Sequence, residues 1–264
     1  MRKTVLLATA AVACAANAQG GPMGYWMSAG NSQNITRFDA GVTNVYNTSG
    51  GQDYPIAVSG DVRTAASGQF DASDHGGLYD LNGTWQGTDY FDFVPTNQDI
   101  LAYDGTTDGS KNYIVNYGNL GGVWATDRDW SNATKLFDLG GFGNYLGITY
   151  DVDNKSLWVS HWDSGMVEEY DFAGNLKSSF DSGLGFAQTC LAMDYSTGLL
   201  WIGQQGNGGL FTGYNRSGQI IDRFSDATLA GLNTLGGEFN VVPEPATMIA
   251  CAAGLAALAR RRKK

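Results

Sequence analysis

The chain is predicted to be all-β, a β-propeller of about five four-stranded blades, on three observations. Large apolar residues recur at Trp26, Phe70, Ile114, Trp158 and Trp201, in steps of 44, 44, 44 and 43 residues. A second series, Ile35, Leu78, Val123, Val167 and Leu210, steps by 43, 45, 44 and 43. Glycine supplies 37 of 264 residues, about twice the ordinary usage of roughly 7%, and much of it stands in turn pairs between short apolar runs. A fixed period of about 40 to 50 residues with four short strands per copy is the mark of a propeller blade. A β-sandwich has similar strand spacing but no reason for such a period. Six blades is the alternative count.

The first element is a leader. Arg2-Lys3 precede an apolar run from Val5 to Ala16, and Ala16-Asn17-Ala18 precede Gln19. Charged, apolar and small-residue parts in that order predict a secretory signal peptide over residues 1–18, a short helix released by signal peptidase after Ala18. A rival reading makes Cys14 of Ala11-Val12-Ala13-Cys14 a lipidation site, although Ala11 stands where a lipobox has leucine. After ordinary cleavage Cys190 is the one cysteine left in the body, since Cys251 lies near the C-terminus. Stability must then come from a packed core and not from internal disulfides.

The body, residues 19–242, follows. Its clearest copies are Leu146 to Ser160, with Trp158, and Cys190 to Gly203, with Trp201. Each continues into a glycine-led strand, Gly165 to Tyr170 and Gly209 to Tyr214, then a turn and a further strand to Phe180 and Phe224. Asn82-Gly83, Asp104-Gly105, Asp108-Gly109, Gly174-Asn175 and Ser217-Gly218 read as hairpin turns. The first copy starts in mid-blade at Tyr25-Trp26-Met27, with no inner strand before it. Gly236 to Val242 is predicted to supply that strand and so close the ring from the two ends of the body. Around Ser156 to Phe180 the sequence loosely resembles an NHL-type blade.

The last element is a tail. Pro243-Glu244-Pro245 leads into Ala246 to Ala259, without charge, and then Arg260-Arg261-Arg262-Lys263-Lys264. This order resembles the PEP-CTERM sorting signal of Gram-negative bacteria, also labelled an ice-binding protein C-terminal domain, over residues 243–264. The resemblance implies export through the secretory pathway, an inner-membrane intermediate and processing near Pro-Glu-Pro by an exosortase. The destination it implies is the cell surface, outer envelope or exterior of exopolysaccharide-producing cells. A helix crossing about 30 Å of hydrocarbon needs roughly 20 residues, so this short alanine-rich segment suits transient anchoring. Its basic cluster would stay on the cytoplasmic side.

Composition narrows the partners. Without the leader and the five terminal cations, residues 19–245 hold 9 Lys and Arg against 26 acids, a net charge of −17. Nucleic acid and anionic lipid are bound by neutralising phosphates, so the charge of this body disfavours both. Exopolysaccharide or surface proteins remain as partners.

Candidate chemistry falls in the loops between second and third strands, which share one rim with the loops linking blades. His75 stands beside Asp74, and His161-Trp162-Asp163-Ser164 fills the matching loop of a later blade. Tyr117-Gly118-Asn119 and Gln204-Gln205 occupy equivalent places. In a catalytic reading, His75, His161, Asp74 and Asp163 act as acid and base, giving an extracellular lyase, lactonase or glycosidase. In a binding reading, Tyr117, Asn119, Trp162, Gln204 and Gln205 form a non-catalytic ligand rim, the stronger expectation. Two histidines are too few for zinc, and no metal site is expected. No cofactor is expected either. The carboxylates of Asp104 to Asp108 and Asp151-Val152-Asp153-Asn154 would collect calcium only weakly, being read as hairpin turn residues.

Overall fold

A computed structural model describes residues 22–29, 34–39, 42–47, 53–66, 75–90, 101–118, 121–140, 144–207 and 209–241. The leader with Cys14, Ala16 and Ala18, the loop residues Phe70, Asp74 and Asn119, and the tail from 242 onward lie outside them. So do the two terminal helices expected from sequence.

Among the described residues twenty strands form five antiparallel four-stranded sheets. The chain opens with β1 (Met23–Ala29), β2 (Asn34–Asp39) and β3 (Val42–Asn47). Blade 1 is β4 (Asp53–Val58), β5 (Val62–Ala66), β6 (Gly76–Tyr79) and β7 (Trp85–Tyr90). Blade 2 is β8 (Gly105–Thr107), β9 (Asn112–Val115), β10 (Gly122–Thr126) and β11 (Thr134–Asp138). Blade 3 is β12 (Tyr145–Asp151), β13 (Ser156–His161), β14 (Met166–Tyr170) and β15 (Leu176–Asp181). Blade 4 is β16 (Gln188–Asp194), β17 (Leu199–Gln204), β18 (Leu210–Tyr214) and β19 (Ile220–Ser225). After helix α1 (Ala227–Leu232), β20 (Thr234–Phe239) pairs with β1 and becomes the inner strand of blade 5, in the order β20-β1-β2-β3. The ring therefore closes by joining the two ends of the body, as the half-copy at Tyr25 predicted.

The hairpins form for a local reason. Asp80, Asp108, Asp171 and Asn215 each turn a side-chain oxygen onto backbone N–H groups two to four residues ahead. That offers the turn a partner that strand pairing cannot. Between neighbouring blades lie five separate apolar clusters, one for each interface of the ring. Of the apolar series, Trp26, Trp158 and Trp201 are buried there in second strands, and so is Ile114. Burying such side chains contributes about 1.5–3 kcal/mol each, and so the period appears in the sequence as a packing requirement.

Asp104 departs from its expected role. It does not turn a hairpin with Gly105; that work falls to Asp108-Gly109. Asp104 is fully buried just before β8 and accepts four backbone N–H groups, those of Gly105, Ile148, Leu191 and Gly237. One carboxylate thus ties its own inner strand to those of blades 3, 4 and 5. The repeat is legible in these bonds: Thr106 Oγ1 accepts from Tyr150 N, and Thr149 Oγ1 from Met193 N, each 44 residues ahead. Glu238, also fully buried, meets Thr106 and Thr149 from β20. Gly236 is required at the same crowding, since a Cβ there would lie 2.2 Å from the Tyr54 carbonyl oxygen.

Candidate functional site: an aromatic rim

All five inner strands begin at one face of the ring, and aromatic side chains gather there. Tyr54 is the second residue of β4, Tyr103 precedes β8, Tyr117 follows β9, Trp162 follows β13 and Phe186 precedes β16. Their rings form a continuous chain. Centroids are 5.6 Å apart for Tyr54 and Tyr103, 5.1 Å for Tyr103 and Tyr117, 6.3 Å for Tyr117 and Trp162, and 5.2 Å for Trp162 and Phe186. The last three pairs meet edge to face, the geometry favoured by the ring quadrupole. Leu146 and Leu235 pack beneath. Exposure grows outward along the arc, from buried Tyr54 through half-buried Tyr103, Tyr117 and Trp162 to Phe186, 61% exposed.

Backbone bonds hold these loops. Trp162 N donates to Asn144 O and Ala187 N to Trp162 O, so the Trp162 loop is fastened both to its own blade and to the approach of the next. Tyr117 N donates to Leu101 O. Gln204 Nε2 donates to the carbonyls of Leu184 and Phe186, both at 2.9 Å, and positions the Phe186 loop. Gln205 N donates to Ala187 O. Asp163 is exposed and accepts from Asn144 N. Burial raises the Tyr117 phenol above its usual pKa, and the Asp163 charge adds to the shift.

The histidines lie apart from this arc in their bonding. His75 Nε2 is 3.6 Å from Asp89 in blade 1. His161 Nε2 is 2.8 Å from Glu168 Oε2, which also accepts from the Tyr170 hydroxyl. Its partner is therefore Glu168 on the neighbouring strand and not the adjacent Asp163. The His161 hydrogen bond holds the Glu168 carboxyl below its usual range. Burial pushes the Tyr145 phenol, whose ring lies 4.2 Å from that of His161, up to about 12. Each imidazole is engaged within its own blade. No group of three or more His, Cys, Asp or Glu that could hold a metal ion occurs among the described residues.

The carboxylates read as weak calcium ligands are engaged too. Asp151 accepts from Trp158 Nε1 and from the guanidinium of Arg216, which also reaches Asp153. Burial raises the Asp151 carboxyl, and Arg216, together with the Asn154 N–H and Trp158 Nε1, more than reverses this, leaving it below the ordinary range.

The fold and tail together define an exported β-propeller with a C-terminal sorting segment. The PEP-CTERM protein-sorting motif matches residues 241–263. The motif directs the chain to the cell envelope or surface and implies processing by an exosortase-type system. No curated protein matches the chain in sequence. Among solved structures, a chain of a nidogen/laminin complex is similar in fold, with 12% identity, a TM-score of 0.56 and coverage of 82% of this chain and 98% of that one. Streptogramin B lyase gives 16% identity, a TM-score of 0.48 and coverage of 82% and 72%. A glutaminyl cyclase of Myxococcus xanthus gives 12%, 0.46, and coverage of 87% and 78%. The first is a likeness of fold alone, and the two enzymes lend no chemistry to this rim. Among the described residues no helix is long and apolar enough to cross a membrane.

Proposed function

We propose that this is a non-catalytic binding protein of the cell surface or matrix, whose propeller presents the aromatic rim to a neutral glycan or similar ring-bearing polymer. The observation that carries the reading is the unbroken arc from Tyr54 to Phe186 across four blades. Aromatic faces stack on the apolar faces of sugar rings, and nearby amides and carboxylates, here Gln205, Asp163 and Asn207, bond hydroxyl groups. The negative charge of the body disfavours anionic polymers. The separate engagement of His75 by Asp89 and His161 by Glu168 supports binding over acid–base catalysis, which needs both groups within reach of one substrate. A panel of neutral and acidic polysaccharides tested against the protein, with and without calcium, is the experiment. Retention of neutral polymers is expected, and turnover of any of them would replace this reading with an enzymatic one.

A further inference from the structure

We propose that the membrane-held form of this chain stands with its hairpin face toward the bilayer, so that the aromatic rim points away from it. The inference rests on the reading that the PEP-CTERM tail is retained in the membrane, and it adds an orientation that the motif does not contain.

Strand polarity carries it. β20 starts beside the rim, where Leu235 packs under the aromatic arc, and ends on the opposite face. There Val241 N donates to Val58 O, and Asn240 Oδ1 accepts from Gly60 N in the turn between β4 and β5. The chain thus leaves the body pinned to the hairpin side of blade 1. β1 is antiparallel to β20, with Tyr25 opposite Phe239, so the chain also enters the body on that side. Both routes to the membrane, from the leader and to the tail, leave from one face.

Length makes the constraint tight. Five backbone steps, through only four intervening residues, separate Val241 from Ala246, where the apolar segment begins. Fully extended they span at most about 18 Å, at roughly 3.3–3.6 Å each. The rim lies farther off by the length of an inner strand, and the seven residues of β12 span about 23 Å at roughly 3.3 Å each. A four-residue tether cannot let the ring turn over and bring the rim to the headgroups. On the hairpin face the turn carboxylates Asp80, Asp108 and Asp171 stand among cations that are already ion-paired, Lys111 with Asp127, Arg128 with Asp61 and Arg216 with Asp151 and Asp153, so it offers anionic lipid no free basic patch. The tail alone therefore holds the body there, and trimming it would free the body.

The structure also supplies the test. Cys190 is fully buried and silent to thiol labels. In a full-length Cys14→Ala, Cys251→Ala background, a fluorophore is placed either at Ser217→Cys, exposed on the hairpin face, or at Asn207→Cys, exposed on the rim. Each protein is mixed with vesicles of phosphatidylethanolamine and phosphatidylglycerol carrying a headgroup-attached spin-label quencher. The expected result is co-flotation of both, with quenching several-fold stronger at position 217 than at 207. Co-flotation with equal or reversed quenching overturns the orientation while leaving tail retention intact. Failure to float overturns tail retention, and the orientation falls with it. One label per chain in detergent, with buried Cys190 left unreacted, confirms that both variants fold.

Discussion

Asp104 accepts the backbone N–H of Gly237 at 2.8 Å, a bond between residues 133 apart in sequence that fastens the closing strand to the heart of the ring. Three further N–H groups converge on the same carboxylate. All four bonded groups are donors, which favours the acceptor-only ionised form and opposes the burial that raises the carboxyl.

Asp104→Asn exchanges one acceptor oxygen for an amide that can only donate. Two of the four N–H groups would then face N–H, and an unpaired buried donor costs about 1–3 kcal/mol. The expected loss is about 2–6 kcal/mol on that basis, read as a lower urea midpoint. A variant as stable as the parent would show that the carboxylate is not the tie described.

Glu238 sets a pH dependence of known sign. Burial raises its carboxyl well above the usual range, and the charge of Asp104 adds to the shift. The folded state then keeps a proton that the unfolded chain releases near about pH 4.3, so stability falls as pH rises from there toward the folded value. Asp104 is also raised by burial, against the pull of its N–H donors, and contributes a slope of the same sign. Glu238→Gln is expected to flatten the decline without abolishing it. Denaturant midpoints measured from mildly acidic to neutral pH check this, and parallel curves for parent and variant would refute it.

Asp151 works the other way. Its lowered pKa stabilises the folded state above the ordinary aspartate range, about 3.9, and that contribution fades as pH falls through the folded value. Arg216→Met leaves the buried carboxylate without its cation, and breaking a buried pair costs about 3–5 kcal/mol. The half-exposed position of Arg216 brings the expectation to the lower end or below it. Thermal melts at neutral pH should show a large loss, shrinking as the pH approaches the unfolded pKa of the carboxyl.

Closure can be broken at one atom. Gly236→Ala sets a methyl group 2.2 Å from the Tyr54 carbonyl oxygen, where backbone cannot yield as a side-chain tip would. Overpacking typically costs about 1–3 kcal/mol, and this site is expected at or above that range. Limited proteolysis should cut the variant in the strands that β20 covers, β1 above all; an unchanged digest would disprove the crowding.

Truncating Trp162 or Phe186 to alanine should weaken polymer retention while leaving the melt of the body nearly unchanged for Phe186, which is mostly exposed. Base-free stacking of this kind is aromatic burial, so an approximately tenfold loss corresponds to about 1.4 kcal/mol. Unaltered retention in both variants would move the binding surface elsewhere.

The ring, its five sheets and its closing strand were readable from sequence because packing between blades repeats. Trp158 and Trp201 fill matching places, and a period survives wherever the same hole must be filled. Phe70 belongs to the numerical series but lies outside the described residues, beyond β5, which ends at Ala66. Asp104-Gly105 misled because the pair is a local turn signal, while its real partners lie 44 to 133 residues ahead. Helix α1 was not foreseen either. It has six residues, too few for a helical period to show, and is held by Asp226 at its N-cap. At the rim, Tyr117 and Trp162 were visible as loop residues. Tyr54, Tyr103 and Phe186 were not, since they sit at the approaches to inner strands and converge only once the ring is closed.

β1 meets its inner partner across a gap of about 200 residues, as the Gly236 amide on Ser28 Oγ shows. An emerging chain can complete blades 1 to 4 one after another, but its first sheet keeps an unpaired edge until nearly the last residue of the body has been delivered. Such edges invite pairing with other chains. The joint between the two ends is therefore the last of the ring that synthesis makes available, and the edge most open to mispairing until it closes.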